Sequence, residues 1–584
     1  MTNSQIADVF ELMADLLEFQ GENPFRVRAY RNGARAIRNL ADSVASILQD
    51  DPERLRQVEG IGKAVAEKCE VLVRTGKLPQ LKKLQQEVPE GVLSIMRIQG
   101  LGPKKTAAVY HELGIATLDD LRQACEQGRL QAIKGFGKKT EDTILNGIDL
   151  AAVAAQRIYW AKADEIVEQL RQHLSELPGI QQLEFAGSYR RGRETVGDLD
   201  VLVVASQGKG VMDHFARFSG SPNVMARGDT KMSIRIASGL QIDLRIVPPE
   251  SFGAALQYFT GSKEHNVVLR SRAKQRGLKI NEYGVYRIAG DQTTYVAGRQ
   301  EQDVYATLDL PWFPPELREA RQEFAWADAG ELPELIRLED IQGDLHSHTD
   351  ETDGQASLEE MAQAAQDRGL KYLAITDHSK RVSMAGGLDE RRLLDQWERI
   401  ERWNERSSGD FRLLKGIECD ILEKGGLDLP DDVLAQADWV LASIHYGQRQ
   451  PREQITARIL EAIQHPHVSA IAHPTGRLIN QRPPYDVDLD AVFAAAREHG
   501  KLLELNANPM RLDLDDVWCA AAKSHGISIV INTDAHSIEN LELMRYGILQ
   551  ARRAGLTKTD VANTRTWPEL KKLIGVKQRK KRGK

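Results

Sequence analysis

Long apolar runs are missing from this 584-residue chain, so no segment reads as a bilayer-spanning helix, and the opening stretch is an amphipathic pattern with early acids rather than a leader peptide. The expectation is a cytoplasmic protein with no membrane partner. Cysteine is scarce: Cys69, Cys125, Cys419 and Cys519 stand far apart with no paired spacing, which excludes a disulfide framework or a zinc ribbon and fits a reducing compartment. A basic excess is also missing. With 78 Lys and Arg against 84 Asp and Glu, the net charge of −6 excludes a uniformly basic nucleic-acid coat. Charge is local, however: from Ala186 to Tyr283 there are 15 Lys and Arg against 9 Asp and Glu. What the chain does have is length, enough for roughly four domains with cores of their own.

The most informative stretch is Ala186-Gly187-Ser188-Tyr189-Arg190-Arg191-Gly192, continuing through Gly197-Asp198-Leu199-Asp200 into Val201-Leu202-Val203-Val204. An apolar β-branched run opening with Asp-Leu-Asp reads as a strand, and residues two apart on a strand share a face, so Asp198 and Asp200 project together. Adjacent carboxylates stay ionised most easily around a divalent cation, and Mg²⁺ is the usual ion held by one or two carboxylates plus substrate phosphates. Gln241 to Val247 is a second alternating strand, with Asp243 expected on its core side as the third carboxylate. Gly187 and Ser188 ahead of Arg190 and Arg191 suit a triphosphate. A lone Asp-x-Asp is more often turn chemistry. Here the accompanying glycine, serine, arginines and later aspartate point to two-metal phosphoryl transfer.

Upstream, Ser4 to Leu40 has helical periodicity, and Phe25 to Arg31 adds a basic stripe with aromatics. A Gly-x-Gly element then recurs three times, at Gly60-Ile61-Gly62-Lys63, Gly100-Leu101-Gly102-Pro103-Lys104-Lys105 and Gly135-Phe136-Gly137-Lys138-Lys139. Each joins two helical patterns, with lysine opening the second, so free amides and a positive helix end are offered to a phosphate. Ala155 to Leu183 reads as two amphipathic helices. After Asp243, the segment to Gly284 reads as an aromatic stretch followed by a basic helix.

From Ile341 the pattern becomes short apolar strands ending in ligand-type residues, separated by helical stretches. These run Ile341–His348 (Asp344, His346, His348), Tyr372–His378 (Asp377, His378), Leu413–Asp420 (Glu418), Trp439–His445, Ser469–His473, Leu502–Asn508 and Ile527–His536 (Asp534, His536). Alternation of this kind implies a parallel, barrel-like sheet whose carboxyl ends converge on one mouth. A multinuclear metal site follows, its mixed imidazole and carboxylate donors suiting Mn²⁺, Zn²⁺ or Fe²⁺, with Arg477 near the mouth as a phosphate grip. His465, His467, His499 and His525 lie off the strand ends and read as structural. The tail Lys577 to Lys584 is a run of basic residues.

The run from Gly187 to Asp200 resembles the nucleotidyltransferase signature of family X DNA polymerases, the family of DNA polymerase beta. The first two Gly-x-Gly elements resemble that family's helix-hairpin-helix elements; the third is more degenerate. The resemblance implies a DNA-directed DNA polymerase filling short gaps in base excision repair. It would use deoxynucleoside triphosphates on gapped or nicked duplex DNA, with two Mg²⁺ on Asp198, Asp200 and Asp243. Gly187, Ser188, Arg191 and Gly197 would hold the nucleotide. Tyr258, Phe259 and Gly261 would crowd the sugar, and Asn266 and Arg270 would meet the base pair. Gly60, Gly62, Gly100, Gly102, Lys104 and Lys105 would hold the DNA backbone. Lys68 stands where that family carries a 5′-deoxyribose-phosphate lyase nucleophile, with Lys63, Arg26 and Arg28 as neighbouring cations.

The second half resembles the PHP (polymerase and histidinol phosphatase) domain. That likeness implies up to three ions: one on His346, His348, Glu418 and Asp534, one on Glu418, His445 and His473, and one on Asp353, His378 and His536. Beside a polymerase, it implies a metal-dependent 3′→5′ exonuclease. The expected architecture is multidomain α+β and α/β. It comprises a helical lyase-like domain (1–80), a helix-hairpin-helix domain (81–155), a catalytic palm (156–250) and a nascent-base-pair domain (251–318). An acidic linker (319–340), a seven-stranded PHP barrel (341–576) and a basic tail (577–584) complete it, in a monomer. Three alternatives stand beside this reading. They are a template-independent nucleotidyltransferase acting on RNA, a DNA-binding scaffold with dead sites, and a barrel that hydrolyses small phosphomonoesters.

Overall fold

A computed structural model describes residues 3–38 and 44–575, except 59, 97, 99, 100, 139, 146, 147, 149–156, 219–222, 238, 291 and 408. The basic tail and Gly100 therefore lie outside the described residues. The chain divides into two compact units. One comprises Met1–Arg157, Leu177–Glu184 and Asp200–Asp309, the other Ile158–Glu176, Phe185–Leu199 and Leu310–Lys584. The palm expected from 156 to 250 is thus shared out, with its helix Trp160–Ser175 and the Gly187 loop grouped with the barrel.

The first unit opens with two helices, Asn3–Phe19 and Pro24–Arg38, where the periodic pattern breaks at Gly21, whose φ is 74°. Their apolar faces bury Phe10, Met13, Leu17, Ala34 and Ile37, and the rings of Phe10 and Tyr30 stack at 5.9 Å. The helices Lys63–Thr75 and Pro103–Leu113 begin immediately after Gly62 and Gly102. Gly60 turns the first hairpin at φ 94°, where a side chain would be strained and would press on Ala36 and the Asn32 carbonyl.

A five-stranded sheet follows, in the order Ile180–Phe185, Asp198–Ala205, Gln241–Ile246, Lys231–Arg235, Asn223–Arg227. Here the structure corrects two expectations. Among the described residues from 157 to 186 there is one helix: Pro178 and Gly179 (φ 101°) end the helical run, and Ile180–Phe185 is a strand. The basic helix Lys263–Gln275 stops before Gly277 (φ 68°), so Leu278–Asn281 becomes the first strand of a three-stranded antiparallel sheet.

The second unit is built on seven parallel strands in strictly sequential order. They are Gly343–Asp344, Tyr372–Ile375, Arg412–Asp420, Trp439–Ser443, Ala470–Ile471, Leu502–Asn506 and Ile529–Asn532. Extensions of the first and last strands meet at a Ser347–Ala535 bridge, which nearly closes the barrel. Its interior holds Leu345, Tyr372, Leu414, Trp439, Leu441 and Val530, all buried, while the outward faces pack under the helices. This is the packing of strands covered on both sides, and it leaves the carboxyl ends open for function. Residues 319–340 are no free linker. Glu323–Ala329 is a helix, Glu319 and Glu323 are largely enclosed, and the Ile336 amide bonds the Leu556 carbonyl at 3.0 Å. No helix among the described residues is long and apolar enough to cross a membrane.

Candidate metal centre and palm residues

Eight of the nine barrel residues expected to bind metal lie at or just past a strand's carboxyl end, Asp353 comes from the loop after the first strand, and the structure gathers them around Glu418. Its Oε1 lies 3.0 Å from His473 Nε2 and 3.4 Å from His445 Nε2. Its Oε2 lies 2.8 Å from His378 Nδ1, 3.5 Å from His346 Nε2 and 3.7 Å from His348 Nε2. Asp534 Oδ1 closes on His348 and His346 at 3.2 and 3.4 Å. Asp353 faces His378, His536 and His348 at 3.4, 3.5 and 3.8 Å. In the barrel three groups place their ligand atoms within 4.8 Å of one another: His346, His348 and Asp534; His378, Glu418 and His445; and His348, Asp353, His378 and His536. His378, expected beside Asp353 and His536, faces Glu418 as well.

The donor set fits divalent cations. His346 Nε2, His348 Nδ1, His378 Nδ1, His473 Nδ1 and Glu418 Oε2 are buried without a hydrogen bond, a costly state that an ion relieves. Acceptors orient the opposite edges of three rings: Glu504 Oε1 at 2.7 Å from His346 Nδ1, Asp420 Oδ1 at 3.0 Å from His445 Nδ1, and the Asp534 carbonyl at 2.8 Å from His536 Nδ1. Burial alone raises the Glu418 carboxyl, yet His445, His378 and His346 hold it well below the usual range, ionised and ready to ligate. Burial, then His378 and His536, pushes His348 down to about 3, so its imidazole is neutral, the form a metal takes. His473 (φ 28°) and Asp534 (φ 54°) hold left-handed backbone that such residues rarely adopt, strain of the kind that clusters at working sites.

The rim corrects one expectation. Arg477 does not face the cavity. Its guanidinium is spent on the Arg511 and Leu512 carbonyls at 2.8 and 2.5 Å and on Glu194 at 2.7 Å. Arg511 takes the place instead, lining a cavity of about 320 Å³ with the ligands, its Nε 3.5 Å from Asp534 Oδ2. Asp344 and Asp377 do not point into the centre either. Asp344 accepts from Thr533 and the His346 amide, and Asp377 from Thr349, Thr352 and Gln396. Glu504 was missed; its signal was a charged residue inside the fully buried strand Leu502–Asn506.

On the palm sheet, Asp198 and Asp200 sit two apart on one strand, alternating with buried Leu199 and Val201, and Asp243 lies on the neighbouring strand. Asp243 shares its face with Gln241 and Arg245, opposite buried Ile242 and Leu244, so it points away from the side expected. Gly187 turns at φ 65° into the short helix Gly187–Arg190, and Gly197 is exposed. Arg191 is not presented to solvent. It bonds Glu319 at 3.0 Å inside a buried network in which Arg553 also reaches Glu319 (3.0 Å), Asp516 (2.8 Å) and the Arg191 carbonyl (2.7 Å).

Tyr258 and Phe259 pack edge to face, with the Arg245 guanidinium 4.5 Å over Phe259. Asn266 is buried, its amide committed to the Tyr258 and Gly261 carbonyls and to Gln257, while Arg270 is exposed. In the first hairpin Lys68 lies 5.7 Å over the Tyr30 ring and bonds the Ala64 carbonyl. Two of its expected cationic neighbours have acidic partners, Lys63 with Glu67 and Arg26 with Glu22. Lys104 and Lys105 are exposed at the start of the second hairpin's helix.

A sheet bearing paired aspartates, joined in one chain to a strand-end imidazole and carboxylate centre, defines a class of enzymes with two separate sites for phosphoester chemistry. Family models agree along the chain: a helix-hairpin-helix domain over residues 1–78, a SAM-like helix-hairpin-helix tandem over 92–149, the DNA polymerase beta palm over 157–224 and thumb over 255–319, and the PHP domain over 344–508. The DNA polymerase/3′-5′ exonuclease PolX of Bacillus subtilis (strain 168) is 40% identical over 578 residues, 98% of this chain and 99% of that one. DNA polymerase lambda of Rattus norvegicus is 26% identical over 345 residues, 54% of this chain and 56% of its own. A probable phosphatase of Thermoanaerobacter sp. (strain X514) is 30% identical over 250 residues, 41% of this chain and 96% of its own. The chain belongs to the family X DNA polymerases that carry a C-terminal PHP domain.

Proposed function

We propose that the protein is a gap-filling DNA polymerase of base excision repair whose barrel removes nucleotides from 3′ ends. The carrying observation is the complete strand-end ligand set around Glu418, supported by the full-length likeness to a relative named for both activities. In the palm, Asp198, Asp200 and Asp243 would hold Mg²⁺, which activates a primer hydroxyl and stabilises departing pyrophosphate. Gly187 and Ser188 offer an amide and a hydroxyl to the triphosphate. The Tyr258 to Gly261 backbone, stiffened by the Asn266 amide, borders the sugar, and exposed Arg270 faces the template. Lysines 104 and 105 and the glycine hairpins grip the duplex backbone. Lys68 is the candidate nucleophile for 5′-deoxyribose phosphate.

In the barrel the nine ligands would hold up to three ions, Mn²⁺ before Zn²⁺ or Fe²⁺, supplying Lewis acidity at phosphorus. The chain's own residues do the rest: Glu504 and Asp420 fix the tautomers of His346 and His445, and Arg511 is placed to hold a non-bridging phosphate oxygen.

Paired variants on a gapped duplex with a labelled primer test the division. Asp198→Ala with Asp200→Ala should abolish extension and spare shortening; His346→Ala with His348→Ala should do the reverse. Joint loss in either pair would overturn the two-site reading. Extension with single deoxynucleotides that follows the template base separates this from untemplated transfer. The likeness to probable phosphatases favours a second reading of the barrel. Comparing nucleotide release from DNA with phosphate release from histidinol phosphate decides between them.

A further inference from the structure

We propose that Met384 is the platform on which the terminal nucleobase of the degraded strand packs, which makes it a positioning residue of the barrel site. The inference rests on the exonuclease reading. Met384 is 91% exposed, the largest such value among the exposed apolar side chains of the described residues, and it lines the metal cavity together with Val382 and Ala385.

A single exposed methionine is ordinary on a protein surface. This one is displayed on a turn built to stay in place. The turn starts one residue after the ligand His378, and its two ends are joined by the Leu388 amide on the His378 carbonyl at 2.8 Å. Within it the Gly387 amide returns to the Val382 carbonyl at 3.1 Å. Gly387 also packs so closely that a Cβ would meet the Ser379 carbonyl at 2.0 Å. Arg392 donates to the Gly386 carbonyl at 2.7 Å and to the Glu351 carbonyl at 2.6 Å, tying the turn to the loop that carries Asp353. At its other flank the Arg381 amide bonds Asp428 at 2.6 Å while its guanidinium stacks 4.3 Å over Tyr446, next to the ligand His445.

The cavity lining decides what this methionine meets. Besides the ligand side chains and Arg511 for a phosphate, it holds, among the described residues, no phenylalanine, tyrosine or tryptophan ring and no amide side chain that would read a base edge. A nucleotide whose phosphate occupies the ligand cluster presents its base at the rim, where Met384, Val382 and Ala385 form the apolar wall. A flexible, polarisable thioether packs against any π-face, which suits removal of all four nucleotides without sequence preference.

The test uses the full chain and two oligonucleotides that differ only in the 3′-terminal residue, one normal and one a tetrahydrofuran abasic analogue. Wild type should cleave the base-bearing end about tenfold more efficiently, mainly through KM, a margin in keeping with a base packed on one apolar side chain. Met384→Ala should bring that ratio near one, and Met384→Leu should restore most of it. A terminal 2-aminopurine bound in Ca²⁺ should change its emission with wild type and not with Met384→Ala. An unchanged ratio in Met384→Ala, or no preference in wild type, would overturn the proposal. Failure of wild type to shorten either end while it still extends primers would overturn the exonuclease reading beneath it.

Discussion

Arg477 Nη2 lies 2.7 Å from Glu194 Oε2, joining the loop that follows the barrel ligand His473 to the segment four residues ahead of Asp198. Around this pair, Tyr159 donates to the Ile479 carbonyl at 2.9 Å, and Trp160 stacks on Tyr189 at 5.0 Å. Sequence around the nucleotidyltransferase signature is therefore packed as part of the barrel's own unit.

Arg477→Ala should accordingly behave as a structural lesion. The arginine is nearly enclosed, while Glu194 is about one-third exposed and partly screened, so the expected loss is about 2 kcal/mol, below that of a fully buried pair. A fall of several degrees in the melting transition checks it. A variant of wild-type stability that had lost only phosphate affinity would contradict this assignment.

Arg511→Gln should show the opposite profile. Its guanidinium faces the ligand cavity, so nuclease kcat/KM is expected to fall about 10²-fold, the usual scale for one lost charge-stabilising donor. Melting temperature should stay within a degree or two, and primer extension serves as the control. Steady-state kinetics on labelled single strands distinguish the two arginines.

That exchange of roles shows where sequence reading stops. The seven strands and the histidines just past their ends were legible because a short apolar run ending in a ligand-type residue fixes the element and the mouth it reaches; it does not fix direction, since Asp344 and Asp377 stand at strand ends too and turn to Thr533, Thr349, Thr352 and Gln396 instead. The rim arginines follow in loops, where direction is set by tertiary packing, and nothing local separates Arg477 from Arg511. The face of Asp243 was misjudged for a like reason: alternation gives two faces and does not say which is covered. Residues 319–340 read as an acidic linker because a buried ion network and a linker can share that composition; only the partners Arg191 and Arg553 tell them apart. Glu504 is hidden because it lies within its strand and not at the end, and its carboxylate orients a ligand instead of being one.

Glu504→Gln replaces the acceptor on His346 Nδ1 with an amide whose oxygen is weaker and whose NH₂ competes for the wrong edge. Affinity for Mn²⁺ at the barrel should drop about 10- to 100-fold, as is usual when a ligand's orienting partner is lost. Equilibrium dialysis with metal analysis measures it directly. Restoration of nuclease activity at high Mn²⁺ would show that the ligands themselves remain competent, while synthesis on gapped DNA should be unaffected throughout.

Glu319 gives the acid limit of the second unit. Burial alone would raise its carboxyl, but Arg553 and Arg191 outweigh it and hold the folded value at about 2, below the usual 4.5. The sign follows: with the folded value depressed, the stabilisation is fully present above about pH 4.5 and is lost as pH falls towards 2. A shift of this size corresponds to about 3 kcal/mol for an enclosed group, an order-of-magnitude figure. Other carboxylates titrate in the same window, so the informative quantity is the difference between wild type and Glu319→Gln. That difference in melting temperature should be largest near neutral pH and shrink steadily below pH 4.5, because protonation gives wild type the same uncharged side chain. Arg553→Met should lower stability near neutrality as well, since it leaves Asp516 and Glu319 short of a cation. Added to Glu319→Gln, it should cost less than alone, the non-additivity expected of residues in one network. Strict additivity in that double-mutant cycle would mean that the Glu319 and Arg553 side chains do not act together.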